Sequence, residues 1–397
     1  MPADRTVPTD RTVPTEHTVP AEHTYASPVI PTRTSPVDVE DVRHRVDALL
    51  AAHIAEQRPV LAGLGADSTV LADAVAEMLS GGKRLRAAFC YWSWRAHGGQ
   101  PDSPLAAAVL RVGAALELFQ AAALFHDDVM DDSDTRRGHP AAHRTFEALH
   151  QRSGWTGDSR RFGDAAAILL GDLALVASDA DFNRALAEFP ADVEPVARRI
   201  FDRMRTEVTV GQYLDMLAQV LPWGVDPVAD EARAREVIRA KSARYSVEHP
   251  LALGAALAGA DGDALAASST FGLPLGEAFQ LRDDLLGVFG NPDTTGKPAG
   301  DDLREGKRTV LVARAMAAGD DAQRAVLRTS LGVRDLADDD VAALAETIAT
   351  TGAPDEVEVL IADLSARAFD ALATSTLDEP GATMLARLGH AAVARHA

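Results

Sequence analysis

Apolar residues recur every three to four positions along most of this chain, which is the spacing that places them on one face of an α-helix. Val42, Val46, Leu49 and Leu50 predict a first amphipathic helix. No alternating pattern of useful length indicates a β-strand. The sequence therefore predicts an all-α fold, a large single-domain helical bundle. Later helices are predicted over 83–97, 105–132, 165–189, 193–220, 232–249 and 262–289, with three or four more between 309 and 395.

The first 37 residues follow a different pattern. The unit Asp-Arg-Thr-Val-Pro-Thr at 4–9 recurs at 10–15 and, more loosely, at 16–21. A proline every six residues opposes helix formation, and the segment cannot bury a core. We therefore predict a disordered Pro/Thr-rich repeat tail over 1–37 and a helical domain over 38–397. The tail is either a solvated extension or a docking peptide whose repeated Thr-Val-Pro unit makes several weak contacts.

Composition narrows the class of protein. Of the 397 residues, 47% are hydrophobic and only 5% aromatic, so the core must consist of Ala, Leu and Val, which favours close-packed helices. A net charge of −20 argues against nucleic acid as a partner. The single cysteine, Cys90, excludes a disulfide within the chain. Without a secretory signal or a charge-free apolar run of ~18 residues, we expect a cytoplasmic protein with no transmembrane segment.

Two acidic segments lie in apolar helical surroundings, where charged side chains need partners. The first is Asp127-Asp128-Val129-Met130-Asp131, and the second contains Asp283-Asp284. Asp127 and Asp131 are four residues apart, so a helix would place both carboxylates on one face, where they repel each other. Divalent cations between them and an anionic ligand would remove this repulsion. Oxygen ligands with room left for phosphate oxygens suit Mg²⁺.

Basic residues are interspersed with the same acidic segments. Gly81-Gly82 precedes Lys83 and Arg86, which are three apart and are predicted to share a helix face. Taken singly, each basic residue could be an ordinary solvated surface charge. Taken together with the acidic segments, they predict a site for Mg²⁺ and phosphate. The remaining members of the set are Arg136, Arg137, Lys241, Lys297 and Lys307.

These motifs together resemble the trans-isoprenyl diphosphate synthase (polyprenyl synthetase) family. Asp127-Asp128-x-x-Asp131 followed by Arg136-Arg137-Gly138 is similar to the family's first aspartate-rich motif. Phe279-Gln280-Leu281-x-Asp283-Asp284 followed by Gly296-Lys297 and Gly306-Lys307-Arg308-Thr309 is similar to the second. The resemblance runs from about residue 40 to the C-terminus and implies the isoprenoid synthase type of fold, with a central active-site cavity. Matches in the family's order are also found at Gly81–Arg86, Gln120, Gly211–Asp215 and Lys241-Ser242.

The resemblance implies a Mg²⁺-dependent condensation of isopentenyl diphosphate with dimethylallyl, geranyl or farnesyl diphosphate to give a trans-prenyl diphosphate. It implies three Mg²⁺ per active site, with Asp127, Asp131 and Asp283 as metal ligands, and a homodimer. The implied catalytic residues are Asp127, Asp128, Asp131, Lys241, Asp283 and Lys297. The implied substrate-binding residues are Lys83, Arg86, Gln120, Arg136, Arg137, Lys241, Ser242, Gln280, Lys297 and Lys307.

Product length depends on the residues that precede Asp127. In the family a bulky residue four or five positions before the first aspartate stops chain growth early. Ala122 and Ala123 are small, so a C15 chain should pass them. Phe119 lies ~12 Å from Asp127 along a helix and would form the floor. We therefore predict geranylgeranyl diphosphate, C20, as the main product.

The sequence departs from the family pattern at Gly287, where the second motif usually has a third aspartate. One alternative is therefore a weakly active or regulatory subunit recruited through its tail. A class I terpene cyclase is a second alternative, although the Asn/Ser/Glu metal motif that a cyclase normally carries is not found. The Thr-Val-Pro repeats also resemble tails that direct prenyl-transfer enzymes into encapsulin-type shells, which makes such a shell a candidate partner.

Overall fold

The computed structural model describes residues 35–290 and 300–394, which form a helical bundle. A short antiparallel strand pair, β1 (Thr135–Arg136) with β2 (His139–Pro140), follows the fourth helix. Short 3₁₀ helices cover Pro36–Asp41 and Ala66–Ser68, and a π-helix covers Ile238–Glu248. The α-helices are α1 (Val42–Leu64), α2 (Thr69–Leu79), α3 (Leu85–Ala96), α4 (Pro104–Met130), α5 (Ala142–Arg152), α6 (Ser159–Leu186), α7 (Glu194–Val220), α8 (Pro227–Val237), α9 (His249–Leu257), α10 (Gly262–Phe289), α11 (Asp301–Glu305), α12 (Val310–Ala318), α13 (Asp321–Ser330), α14 (Asp338–Thr350), α15 (Ala353–Ala373) and α16 (Gly381–Val393).

Helix α4 is the central element of the bundle. It begins with Ser103, whose hydroxyl accepts a hydrogen bond from the backbone N–H of Leu105, and with Pro104 at its first position. Its apolar residues surround the axis, as expected for a helix that other helices cover on all sides. By length and composition α4 could cross a membrane, but 78% of its most apolar window is buried inside the protein, as in a core helix. Its C-terminal end carries the first acidic motif into the interior.

The predicted all-α fold is confirmed, and α10 has the predicted bounds of 262–289. Four predictions were wrong in detail. The helix predicted over 165–189 begins six residues earlier, as α6 (Ser159–Leu186). Helix α3 begins at Leu85 rather than 83, because Arg84 adopts a left-handed conformation (φ 53°), so Lys83 precedes the helix. The predicted helix over 232–249 is an α-helix that continues as a π-helix. Five helices rather than three or four follow residue 309.

The helical unit of the structure begins at Pro36. The chain divides into units 1–35 and 36–397, two residues before the predicted division. Val37 explains the difference, because it is buried in the core of the helical unit. The repeats at 4–21 lie outside the described residues, so the disordered tail stays a prediction.

Candidate active site

A cavity of about 1150 Å³ is lined by residues from α4, α7, the π-helix and α10. This volume is sufficient for a ligand larger than a typical small metabolite. Lys297 lies outside the described residues, and Asp128 and Asp131 are not part of the lining. The predicted site residues that line the cavity are Lys83, Arg86, Phe119, Gln120, Ala122, Ala123, Asp127, Arg136, Arg137, Lys241, Ser242, Gln280, Asp283 and Lys307.

Asp127 is the acidic residue of α4 that reaches this cavity. Its Oδ1 accepts a hydrogen bond from Lys241 Nζ at 2.9 Å, and its Oδ2 lies 3.5 Å from an Arg136 guanidinium nitrogen. Burial by itself would raise the pKa of Asp127, but Lys241, Lys307 and Arg136 outweigh burial and hold that pKa well below its usual value. Asp127 is therefore an anion at neutral pH.

Asp128 faces away from the cavity and is 1% exposed. Its Oδ1 accepts a hydrogen bond from Arg136 Nε at 2.8 Å and a second from the same guanidinium. The β1–β2 turn carries Arg136 and Arg137, the latter with a left-handed φ of 54°. These contacts position Arg136, and the catalytic role of Asp128 stays a prediction.

Asp131 occupies the C-terminal cap of α4 and is 4% exposed. Its Oδ2 has no hydrogen-bond partner among the described residues, and Lys307 Nζ is 3.5 Å away. Burial, followed by the charge of Asp127, raises the pKa of Asp131 to about 6. The two predicted metal ligands of the first motif therefore differ in position, since Asp127 lines the cavity whereas Asp131 does not and forms an ion pair with Lys307.

The second motif lies near the C-terminal end of α10, where both Asp283 and Asp284 line the cavity. Gln280 Nε2 donates to Asp284 Oδ1 at 2.8 Å, one turn away on the same helix. Burial raises the pKa of Asp284 to about 8, and the charges of Asp302 and Asp283 raise it further. The hydrogen bond from Gln280 lowers this pKa, but its effect is smaller than that of burial. Asp127 and Asp283 thus approach one cavity from two different helices.

Lys241 is held between two carboxylates. Besides Asp127, its Nζ donates to Asp215 Oδ2 on α7 at 2.7 Å. The π-helix that carries Lys241 is wide, and two glycines make room for it. A Cβ atom on Gly211 would lie 2.5 Å from the Lys241 backbone nitrogen, and one on Gly276 would lie 2.4 Å from the Ala243 carbonyl oxygen. Close packing against α7 and α10 therefore fixes where Lys241 enters the site.

A second group of cations lies near the start of α3. Arg86 donates to Ser246 Oγ at 2.9 Å, and its guanidinium lies 4.1 Å from the centre of the Tyr245 ring. Arg137 donates to the carbonyl oxygens of Met78 and Ser80, both at 3.0 Å. Lys83 lies on the same cavity wall, but it does not share a helix face with Arg86 as predicted.

Arg84 explains why the chain enters α3 in this way. It is 5% exposed, donates to Asp47 Oδ1 at 2.7 Å, and lies 3.3 Å from Glu117 Oε2. These buried contacts stabilise the left-handed conformation that places Lys83 and Arg86 on the wall.

The apolar part of the cavity lies along α4. Ala122 and Ala123 line it beside Asp127, and Phe119 follows one turn deeper. The rings of Phe119 and Tyr245 meet edge to face with their centres 5.5 Å apart. The cavity therefore has a charged region, with acidic and basic side chains, next to an apolar region bordered by the rings of Phe119 and Tyr245.

Four residues of the site had no predicted role: Arg84, Asp215, Tyr245 and Asp302. Asp215 lies in the matched 211–215 motif, so its spacing from Gly211 could have identified it. The other three offer no comparable local signal, because each takes part through contacts with distant segments.

All four lysines of the chain are predicted site residues. The 39 Lys and Arg residues include only Lys83, Lys241, Lys297 and Lys307 as lysines, and all other basic residues are arginines. Three of the four line the cavity, and the fourth lies outside the described residues. An ammonium is a compact point charge that adjusts to an anionic ligand, whereas a guanidinium is a rigid fork.

The carboxylate oxygens of the site fit Mg²⁺ if substrate phosphates and water supply the remaining ligands. No group of three or more His, Cys, Asp or Glu residues is arranged to hold a metal ion within 35–290 and 300–394. Mg²⁺ is commonly bound by one or two carboxylates together with substrate phosphates and water. The carboxylates of Asp127 and Asp283, which line the cavity, match that kind of donor set. Asp131 Oδ2, which makes no hydrogen bond but pairs with Lys307, is a third oxygen close to them.

The helical bundle encloses a cavity that joins a charged region to an apolar region, a shape suited to a ligand with an anionic head and an apolar tail. The model of the Polyprenyl synthetase family matches residues 68–348, more than half of the chain. The chain therefore belongs to this family, and it is a trans-prenyltransferase with the all-α isoprenoid synthase fold.

Curated relatives differ in the products that their names state. A geranylgeranyl diphosphate synthase of Sulfolobus acidocaldarius is 30% identical over 269 residues, which cover 68% of this chain and 73% of that protein. A geranylfarnesyl diphosphate synthase of Aeropyrum pernix is 32% identical over 281 residues, which cover 70% and 79% of the two chains. A farnesyl diphosphate synthase of Mycobacterium bovis is 33% identical over 275 residues, 68% of each chain.

The structure of this protein is similar, with a TM-score of 0.83, to the crystal structure of a geranylgeranyl pyrophosphate synthase from Corynebacterium glutamicum. That synthase was crystallised with isoprenyl diphosphate and magnesium. It is 36% identical in sequence, and the match covers 90% of this chain and all of that one.

Proposed function

We propose that this protein condenses isopentenyl diphosphate with an allylic diphosphate in a Mg²⁺-dependent reaction whose main product is geranylgeranyl diphosphate. The observation that carries the proposal is that Asp127 on α4 and Asp283 on α10 line one cavity that continues into an apolar region. Such a shape suits a substrate that has a diphosphate at one end and a hydrocarbon chain at the other. The magnesium in the Corynebacterium relative supports the choice of metal.

The allylic diphosphate belongs at the acidic end. Asp127 and Asp283, joined by Asp131, would hold Mg²⁺, and the ion would supply positive charge to balance the diphosphate and the charge that develops on it as it leaves. Lys241, Arg136 and Lys307 border the same space and supply further positive charge there. Their present carboxylate partners keep these cations in place before substrate binds.

Isopentenyl diphosphate belongs at the second basic group, formed by Lys83, Arg86 and Arg137 with Gln120 beside them. Ionisation of the allylic C–O bond gives an allylic cation and free diphosphate. The isopentenyl double bond then forms the new C–C bond, and the resulting cation loses a proton to the departed diphosphate. Because the diphosphate takes the proton, the protein needs no general base and acts through charge and position.

The proposed C20 length rests on the apolar end of the cavity. Ala122 and Ala123 leave space beside the chain, and Phe119 with Tyr245 borders the space one turn deeper. Relatives named for farnesyl, geranylgeranyl and geranylfarnesyl products all resemble this chain to a similar degree. The aromatic pair in this chain is therefore the specific support for C20.

We also propose that the protein is a homodimer, because α6 and α7 expose apolar side chains that a second copy could cover. Leu169 and Val176 on α6 are 58% and 68% exposed, and Val210 and Val220 on α7 are 49% and 78% exposed. Exposed apolar faces of this kind are typical of interfaces. Light scattering after size exclusion should give twice the chain mass, and Val176→Glu with Leu169→Glu should give a monomer.

A product assay tests the proposed reaction. The protein is incubated with isopentenyl diphosphate and each allylic primer, with and without Mg²⁺, and products are separated by chain length. We expect C20 diphosphate only when both substrates and Mg²⁺ are present. Hydrocarbon formed from the allylic diphosphate alone would identify a cyclase, and condensation at full rate after removal of divalent ions would refute the proposal.

A further inference from the structure

The first acidic motif is followed by a residue with a rare backbone conformation. Asp132, directly after the C-terminal cap of α4, has a left-handed φ of 55°, which is disfavoured for residues other than glycine. Its N–H donates to the Val129 carbonyl oxygen at 3.3 Å. The N–H of Ser133 donates to the Asp128 carbonyl oxygen at 2.9 Å. These are the two hydrogen bonds of a Schellman motif, in which glycine usually occupies the position that Asp132 has here.

The left-handed residue sets the direction in which the chain leaves α4 and reaches the basic residues of the motif. Arg136 and Arg137 follow Asp132 by four and five positions. Arg136 turns back toward α4, where it donates to Asp128 Oδ1 at 2.8 Å. Arg137 donates to the Ser80 carbonyl oxygen at 3.0 Å. A different conformation at position 132 would therefore displace both guanidiniums from these partners.

Three arginines from separate parts of the fold bind this residue and the one before it. Arg144 on α5 donates to Asp132 Oδ1 at 2.8 Å, and Arg160 on α6 donates to both carboxylate oxygens at 2.8 Å. Arg334, between α13 and α14, donates to the carbonyl oxygen of Asp131 and, at 3.4 Å, to that of Asp132. A helix leaves its last carbonyl oxygens without partners inside the helix, and a cation there is favourable. The end of α4 is thus held by contacts that glycine at position 132 could provide only in part.

We propose that Asp132 and Arg334 are positioning residues for the diphosphate site, although neither lines the cavity. Asp132 supports the turn that delivers Arg136 and Arg137, and its carboxylate ties that turn to α5 and α6. Arg334 holds the backbone of Asp131, which is a proposed metal ligand. This inference rests on the proposed Mg²⁺-dependent function, and it assigns the placement of the first motif to side chains outside the cavity.

Substitutions at position 132 separate the backbone conformation from the carboxylate. Asp132→Asn keeps a side-chain oxygen and tolerates the left-handed region, whereas Asp132→Gly adopts that region but binds neither arginine. Asp132→Val opposes the conformation, because a β-branched residue is strongly disfavoured there. We therefore expect the impairment to increase in this order across the three variants.

Calorimetry measures binding of inorganic pyrophosphate to the full chain at increasing Mg²⁺ concentrations. For Arg334→Met and Asp132→Gly, we expect the Mg²⁺ concentration at half-maximal binding to rise about tenfold, as for other residues that support metal ligands. Arg334→Lys should recover part of the loss, because it restores a cation at the end of α4. Arg324→Met is the matched control, since Arg324 donates to the carbonyl oxygens of Met316 and Ala317 at the end of α12, outside the cavity lining.

Thermal unfolding followed by circular dichroism distinguishes positioning from general stability. Arg324→Met and Arg334→Met should both lower the unfolding midpoint, but only Arg334→Met should change the Mg²⁺ dependence. An unchanged Mg²⁺ dependence in Arg334→Met or in Asp132→Gly, while the unaltered protein binds pyrophosphate, would overturn the role of that residue alone. Equal shifts in Arg324→Met and Arg334→Met would also overturn the inference, because loss of stability would then explain both. If the unaltered protein shows no Mg²⁺-dependent binding, the proposed function itself fails.

Discussion

Lys241 Nζ lies 2.9 Å from Asp127 Oδ1, although the two residues are 114 positions apart in the chain. The ion pair keeps an anion and a cation together at the wall of a mostly apolar cavity. Either charge alone would be unfavourable to bury, and the ion pair offsets that cost. Both groups therefore stay charged at the positions where Mg²⁺ and diphosphate are proposed to bind.

The first prediction concerns this pair. Asp127→Ala and Lys241→Ala should each lower turnover by about 10²–10³-fold, because each removes a preorganised group that stabilises the leaving diphosphate. Steady-state condensation with isopentenyl diphosphate and farnesyl diphosphate measures the loss. Asp134→Ala is the control, since this aspartate follows the same motif but is 80% exposed and pairs with Arg144. Equal, small effects of all three substitutions would contradict the assignment.

The second prediction uses the four lysines. A lysine-selective acetylating reagent should inactivate the protein as it modifies Lys83, Lys241 and Lys307 on the cavity wall. Lys241 and Lys307 should react slowly, because neighbouring carboxylates raise the pKa of both amines and acetylation needs the neutral form. Pyrophosphate with Mg²⁺ should protect both activity and these side chains, as measured by peptide mass spectrometry. Beyond these three lysines, Lys297 and the N-terminal amine are the only other primary amines of the chain, so each acetylated peptide can be assigned to one site. Acetylation of all three lysines without loss of turnover would refute their proposed role.

The third prediction concerns chain length. Ala123→Phe should shorten the main product, because a ring would fill the cavity about 6 Å below Asp127. Phe119→Ala should lengthen the product by opening the space beyond its contact with Tyr245. Both changes are read from the lengths of the products after separation. A C20 product that persists in both variants would show that the floor lies on another helix.

The fourth prediction is a pH dependence of stability. Burial raises the pKa of Asp284 to about 8, above the usual value of 3.8. The protonated carboxyl therefore favours the folded state, and this stability is lost as the pH rises toward and through 8. Without Mg²⁺, the unfolding midpoint should fall by a few degrees between pH 6 and 9, corresponding to about 1–2 kcal/mol.

Asp284→Asn should flatten that curve, because an amide does not titrate over this range. Differential scanning calorimetry of both proteins in chelator-treated buffer measures the difference. If the two curves keep the same slope, Asp284 is not the group responsible.

The fifth prediction separates the tail from catalysis. Deletion of residues 1–35 should leave turnover unchanged within about twofold, because the packed unit begins at Pro36. Deletion of 1–41 should be destabilising, because it removes the buried Val37 and also Glu40, which accepts a hydrogen bond from Tyr91 at 2.6 Å. Co-expression with an encapsulin-type shell tests capture. Shell association that survives the shorter deletion would exclude the repeats as the docking segment.

Local sequence determined the helices and the positions of most charged groups at the site. The spacing of apolar residues predicts α10 over 262–289, because hydrophobic periodicity depends only on neighbouring residues. Motif order likewise identifies Asp127, Lys241 and Asp283 without any knowledge of how the helices pack.

Tertiary structure alone decided which groups meet. The wide π-helix around Lys241 depends on Gly211 and Gly276 of two other helices, which no local pattern reveals. Arg84 adopts its left-handed conformation through Asp47 and Glu117, 37 and 33 residues away. Such contacts join residues far apart in sequence, and their geometry exists only once the helices have packed.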